Sequence, residues 1–228
     1  MLKLKAKYNT WIRFYKLLIF LVISLILLSV TIFPVNTSVR VLSGILAVPF
    51  LYRVKWDGDG TILDIGTGSG SLIIKLAKAF PAAVLTGIDY WGDNWEYSKA
   101  QCQQNAEIEG VSHQIHFQKA SASELPFNEN EFDIIVSCLT FHEVKDRSNK
   151  IDVIKEALRV LKPGGKFAFL DLFMDEKIFG DENELLNDLK KYGISELNSS
   201  KLDKEIKLPK FLLNKKVLGN AVILSGRK

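Results

Sequence analysis

Two kinds of hydrophobic pattern divide the chain. Leu17–Val35 is a run of 19 residues without a charge, and from Thr61 onward short apolar runs alternate with stretches whose apolar residues recur every three or four positions. Thr61–Ile65 reads as a buried strand ending in a glycine loop. Ser71–Phe80 places Leu72, Ile73, Leu76, Ala77 and Phe80 on one helical face, and Pro81 stops it. Val84–Asp89 is a second strand, and Asn94–Glu109 a polar surface helix with Asn94 as N-cap and Gly110 closing it. Ile115–Gln118 and Phe132–Cys138 are the third and fourth strands. Ile151–Leu161 repeats the helical period, and Pro163, Gly164 and Gly165 turn the chain into a fifth strand, Lys166–Leu172. A helix at Glu182–Lys191, a strand near Ile194–Leu197 and a last strand at Val217–Ser225 complete the reading. Such alternation predicts an α/β fold, a sheet flanked by helices.

As a helix, Leu17–Val35 spans about 28 Å, close to the roughly 30 Å of a bilayer's hydrocarbon core. A signal peptide has a shorter apolar stretch and a small-residue cleavage site, which is missing here, and a buried core helix rarely runs so far without a polar face. The segment is therefore expected to be a transmembrane helix. Val41–Tyr52, between Arg40 and Arg53, is too short for an ordinary span. Either one span or a helical hairpin is open. The hairpin, turning at Asn36–Arg40, places Arg53 and Lys55 on the side of the N-terminal tail, as the positive-inside rule prefers. It also leaves the folded domain facing the cytoplasm. The expected organisation is a basic cytoplasmic tail (1–16), a transmembrane helix (17–35), a second hydrophobic segment and linker (36–58), and the folded domain (59–228).

Charge sharpens this division. Of the net +4, five basic residues and no acid lie in residues 1–16, and the remaining 25 basic and 26 acidic residues nearly cancel. A nucleic-acid binder carries its basic charge on the folded domain, so no nucleic-acid partner is expected, whereas a basic tail beside an apolar run suits a membrane. Cys102 and Cys138 have neither disulfide-framework nor zinc-type spacing. The three histidines, His113, His116 and His142, stand on different elements, so no metal site is expected.

The chemistry concentrates at two strand ends. Leu63-Asp64-Ile65-Gly66-Thr67-Gly68-Ser69-Gly70 leaves one strand and opens a helix, where glycines admit a ligand to the backbone and the helix start offers N–H donors. The dinucleotide fingerprint needs Gly or Ala where Ser71 stands, and Asp64 would repel a pyrophosphate. A ligand with an ammonium group and no phosphate suits that carboxylate better. Asp89, ending the next strand, is placed to accept hydrogen bonds from ribose hydroxyls.

Together these residues resemble the class I S-adenosylmethionine-dependent methyltransferases. LDIGTGSG resembles the first motif of that family and GIDYW carries the ribose acid; SASELPFNENEFDIIVS resembles the next block and LRVLKPGGKFAF the strand-five block. The likeness runs from about Asp59 to Asp171, fits the C-terminal remainder more loosely, and is greatest to quinone-biosynthesis and related small-molecule enzymes. It implies a Rossmann-like seven-stranded methyltransferase sheet with its last strand antiparallel, and S-adenosyl-L-methionine as cofactor. Asp64, Gly66, Thr67, Gly68 and Gly70 would then hold the methionine end, Asp89 the ribose, and Tyr90 the adenine. The family often has an acid reading the adenine amino group where this chain has Ser121, followed by Ala122. Ser137, at the end of strand four, is the remaining cofactor-side candidate.

Methyl transfer from a sulfonium asks chiefly for alignment, and for a general base only where the acceptor must lose a proton. His142 is the candidate base, with Glu143 or Asp171 orienting it; a loop histidine beside a helix-capping Glu143 is the other reading. The aromatic cluster Tyr90, Trp91, Trp95 and Tyr97 either covers the adenine and lines an apolar acceptor pocket or simply packs a helix. Lys207–Lys216, mixing leucines and lysines, reads as a membrane-surface segment or an ordinary amphipathic loop. The expected activity is methylation of a small, hydrophobic acceptor at the membrane. A non-catalytic membrane protein with a methyltransferase-like binding domain and a nicotinamide-dependent oxidoreductase stand as alternatives.

Overall fold

A computed structural model describes Trp56 and residues 58–92, 98–210, 212–214 and 217–228. The basic tail, the transmembrane segment, the second hydrophobic segment, Asn94, Trp95 and Tyr97 lie outside the described residues. Among the described residues no helix is long and apolar enough to cross a membrane.

The strands are β1 (Thr61–Ile65), β2 (Val84–Asp89), β3 (Ile115–Lys119), β4 (Phe132–Cys138), β5 (Leu161–Asp171), β6 (Ser195–Lys201) and β7 (Val222–Arg227). The helices are α1 (Ser71–Ala79), α2 (Lys99–Ile108), α3 (Lys150–Arg159), α4 (Glu176–Phe179), α5 (Glu182–Lys191) and α6 (Leu202–Glu205). They form one seven-stranded sheet in the order β3-β2-β1-β4-β5-β7-β6. β3 to β5 are parallel, and β7 runs antiparallel to both β5 and β6. The order reverses between β1 and β4, and the crevice outside the carboxyl ends of strands at such a point is where open α/β sheets bind ligands.

Side-chain alternation along each strand feeds two core layers. In β1, Ile62 joins the layer with α1 and α2, while Leu63 and Ile65 join the layer with α3 and α5. Asp64 lies between them, with 1% of its surface exposed. The central strands β1 and β4 are largely buried on both faces, which is why they read as short, mainly apolar runs.

Several boundaries differ from the sequence reading. α2 begins at Lys99 because the Ser98 hydroxyl caps it, accepting from the Gln101 N–H at 3.2 Å. α3 starts one residue early, capped by Asn149, and ends at Arg159; Leu161 already pairs with Phe132 at the start of β5. The turn at Pro163-Gly164-Gly165 is tight, since a Cβ on Gly165 would lie 2.8 Å from the Lys162 carbonyl oxygen and 3.0 Å from that of Asp133. β6 extends to Lys201, and β7 starts only at Val222 because Leu218 and Ala221 are drawn into a turn closed by the bond from Leu218 N to Leu212 O.

Candidate active site

The site is assembled from chain segments that leave the carboxyl ends of β1 to β5. At the end of β1, Asp64 Oδ2 accepts a hydrogen bond from the Thr67 hydroxyl at 2.8 Å. Its other oxygen, Oδ1, is buried and has no hydrogen-bond partner among the described residues. Burial, aided by repulsion from Asp89 and opposed by the Thr67 hydroxyl, pushes the Asp64 carboxyl up to about 7. An orphaned buried acceptor beside a glycine loop is what a ligand's charged donor would satisfy.

The loop is fixed from beneath and from the side. Gly66 N and Thr67 N both donate to Ile88 O of β2, at 2.8 and 2.9 Å. Gly66 has φ +76°, and a Cβ on it would sit 1.9 Å from Thr140 Oγ1, so position 66 admits only glycine in this packing. Gly68 N donates to Asp89 Oδ2 at 2.8 Å, while its carbonyl accepts from the Trp91 indole at 2.9 Å and the Cys102 thiol at 2.8 Å. Asn105 of α2 adds a bond from Nδ2 to Ser69 O at 2.9 Å. Gly70, at φ +83°, opens α1 without any side-chain cap.

Asp89 therefore organises the loop as well as facing outward: Oδ1 accepts from Trp91 N at 3.0 Å and Oδ2 from Gly68 N. Burial raises its carboxyl above the ordinary range, and the backbone N–H donors hold it back. A carboxylate oxygen has two acceptor sites, so both oxygens retain capacity for ribose hydroxyls. Tyr90 is exposed, with Lys119 Nζ 5.3 Å from its ring centroid. Trp91, by contrast, is buried and bonded to the loop, which gives it a structural role within the aromatic cluster.

Beyond β3, the Ser121 hydroxyl donates to Asp146 Oδ2 at 3.0 Å and lies 2.8 Å from Ser123 Oγ; Ala122 is buried beside them. Ser137 is wholly buried and donates to Ile65 O at 2.9 Å, so its observed bond holds the end of β1.

The candidate base and its partner come together from β4 and β5. His142, in the short 3-10 turn Phe141–Glu143, sets Nδ1 2.6 Å from Asp171 Oδ1. Asp171 is completely buried and also accepts from Phe141 N at 2.8 Å and Leu172 N at 2.7 Å. Glu143 Oε1 is farther off, 3.8 Å from His142 Nε2. Burial alone would lower the His142 pKa, but the Asp171 charge and hydrogen bond, with Glu143 adding, raise it on balance. Of the two orienting candidates, Asp171 makes the direct contact. Burial first, and then the charges of Asp64 and Asp171, push the Cys138 thiol up.

His113 precedes β3 and His116 lies within it, away from this edge. Among the described residues no group of three or more His, Cys, Asp or Glu is placed to hold a metal. Sequence reasoning missed Thr140, Cys102, Asn105 and Asp146, each of which bonds to a residue at least 23 positions away in the chain.

The fold is the Rossmann-like methyltransferase fold, and in sequence around the site the chain is similar to S-adenosylmethionine-dependent methyltransferases. Residues 63–169 match the protein family described as "Methyltransferase domain". A ubiquinone/menaquinone biosynthesis C-methyltransferase of Geotalea daltonii is 34% identical over 120 residues, 52% of this chain and 48% of that protein. The 27-O-demethylrifamycin SV methyltransferase of Amycolatopsis mediterranei is 34% identical over 113 residues, 50% of this chain and 39% of that enzyme. The chain thus spans less than half the length of these relatives. In fold it is similar to a SAM-dependent methyltransferase from Aquifex aeolicus (TM-score 0.57, 20% identity, 81% of this chain and 90% of that one). It is similar also to the [4+2]-cyclase SpnF (TM-score 0.59, 21% identity, 85% and 82%).

The donor set fits S-adenosylmethionine. Asp64 and the loop Gly66–Gly70 would hold its aminoacyl end, Asp89 its ribose, and Tyr90 a face of its adenine.

Proposed function

We propose that this protein transfers a methyl group from S-adenosylmethionine to a small, hydrophobic acceptor met at a membrane, with the domain on the cytoplasmic side. The carrying observation is the buried Asp64 oxygen without a partner at the head of the glycine loop. A nucleotide pyrophosphate would meet that carboxylate as a like charge, whereas an ammonium group supplies the missing donor. This disfavours the nicotinamide reading.

When bound, S-adenosylmethionine supplies an electrophilic methyl on a sulfonium centre. The protein's part is alignment, exclusion of water and, through His142, proton removal from the acceptor. With Nδ1 directed at Asp171, proton transfer runs through Nε2, and the carboxylates of Asp171 and Glu143 favour the imidazolium that forms. That chemistry suits an acceptor hydroxyl or an acidified carbon. The hydrophobic acceptor is supported by the membrane-type N-terminal sequence and by the quinone-biosynthesis name of the first relative above.

The test is calorimetric titration of the full chain in detergent with S-adenosylmethionine and with NAD, repeated on Asp89→Asn. Binding of the first alone, weakened at least about 10-fold by the substitution, is expected, since a hydrogen bond to a charged group is worth about that. Preferential NAD binding would overturn the reading.

A further inference from the structure

Basic and acidic residues nearly cancel over residues 17–228, yet they do not cancel face by face. On one side of the sheet the core layer is built by α1, α2 and the connection between β6 and β7, residues 202–221. These three stretches carry eight lysines and three acids. The helices of the opposite layer, α3, α4 and α5, carry six basic and six acidic residues.

The excess concentrates in the connection. Leu202, Leu212 and Leu218 are buried in the α1 and α2 layer and Leu208 packs partly onto it, so the leucines of this segment turn inward. Lys201 at the end of β6, and Lys204, Lys207 and Lys210 after it, are left exposed. What the segment offers a neighbour is therefore positive charge, and not an apolar face to insert.

Strand register fixes where that charge lies. Val222 at the start of β7 pairs with Asp171 of β5 and with Lys201 of β6, so the connection departs and returns at the edge of the sheet that holds Asp171 and His142. The chain also enters the domain on this side. Trp56 packs against the α1 and α2 layer, edge-on to Phe80 with ring centroids 5.4 Å apart. The N-terminal sequence read as membrane-inserted thus leads into the basic layer, and not into the balanced one. Lysines beside a bilayer are drawn to its anionic head groups, and a bilayer against this face borders the edge that carries the candidate base.

We propose that the face formed by α1, α2 and the 202–221 connection lies on the anionic surface of the bilayer, held by Lys201, Lys204, Lys207 and Lys210. The contact is electrostatic and orients the domain, while the N-terminal segment supplies the attachment. The inference rests on the membrane reading above.

The test is acetylation footprinting of the full chain in nanodiscs of phosphatidylcholine, with and without phosphatidylglycerol. Exposed Lys190 and Lys191 of α5, on the opposite face, serve as internal controls. On the anionic discs at low salt, Lys201, Lys204, Lys207 and Lys210 should be acetylated about 5-fold more slowly than on neutral discs, one lysine's worth of attraction to such a surface. The controls should not change, and high salt should remove the difference. With Lys204→Glu, Lys207→Glu and Lys210→Glu combined, Lys201 should react equally on both discs, while melting and S-adenosylmethionine binding are kept. Equal rates on both discs for the wild type, or slowing of Lys190 and Lys191 instead, overturns the inference alone. The same shielding by inorganic pyrophosphate in detergent, without a bilayer, also overturns it and makes the patch a reader of soluble anions. Failure of the chain to enter discs of either composition overturns it together with the membrane reading.

Discussion

At the scale of single residues, Asp64 ties cofactor binding to protons. Its folded carboxyl titrates at about 7, against an ordinary 3.8, first because it is buried. Between those values the folded, cofactor-free protein keeps a proton that the unfolded chain has lost, so this group's contribution to stability falls as pH rises from about 4 to about 7. Asp64→Asn removes that cost. Melting should shift upward at pH 8 by the equivalent of about 2–4 kcal/mol and change little at pH 4, while cofactor affinity is lost. An ammonium group beside Asp64 favours the ionised form, so binding near pH 6 should expel up to about one proton, and this release should fade by pH 8. Calorimetry in buffers of different ionisation enthalpy measures it directly. Zero release at pH 6 by the wild-type protein would show that no cation settles on Asp64.

Between elements, the histidine pair exists only because β4 and β5 lie side by side. Leu139, at φ +59°, donates its N–H to Leu170 O at 2.7 Å, and this bend delivers Phe141 N and the His142 ring to Asp171. The raised His142 pKa stabilises the fold below about pH 6.5, and that contribution is lost as pH rises through the folded value. As a base His142 acts when neutral, so activity should climb with pH through the same value. Asp171→Asn should move that acidic limb to lower pH and cut the plateau roughly 100-fold or more; His142→Gln should remove the limb altogether. A pH–rate profile unchanged by Asp171→Asn would leave His142 as a loop residue. How much of this was legible follows from the same distinction. β1, β2 and β4 have the boundaries read from sequence, because each is a short, mainly apolar stretch bounded by turn residues. Asp64, the glycines and Asp89 were legible because their spacing is local. β6, Ser-Glu-Leu-Asn-Ser-Ser-Lys, has its polar side chains exposed or half-buried at the sheet edge and leaves little hydrophobic pattern. Thr140 against Gly66, Cys102 and Trp91 on Gly68, and Asp146 on Ser121 are contacts across the fold that no local period encodes.

For the whole molecule, the unequal distribution of charge and hydrophobicity makes the strongest claim about place. A tail with five basic residues alone would associate with an anionic bilayer by about 1 kcal/mol per charge, an attraction that salt screens. An inserted helix over Leu17–Val35 would hold in salt, because burial of apolar surface in a bilayer does not depend on charge. The two mechanisms separate in a fractionation of the full chain expressed in cells. The protein should stay with membranes through washes in 1 M salt and in alkaline carbonate. Ile23→Arg with Leu27→Arg, each costing about 2.5–3.5 kcal/mol at a helix centre, should release it to the soluble fraction with its S-adenosylmethionine binding intact. Release of the wild-type chain by salt alone would reduce the anchor to electrostatics and remove the main reason for expecting a hydrophobic acceptor. A reporter fused after Lys228 then decides between one span and a hairpin. Cytoplasmic activity is expected, since a hairpin returns Arg53 and Lys55 to the side of the basic tail, and activity only on the far side would require a single span.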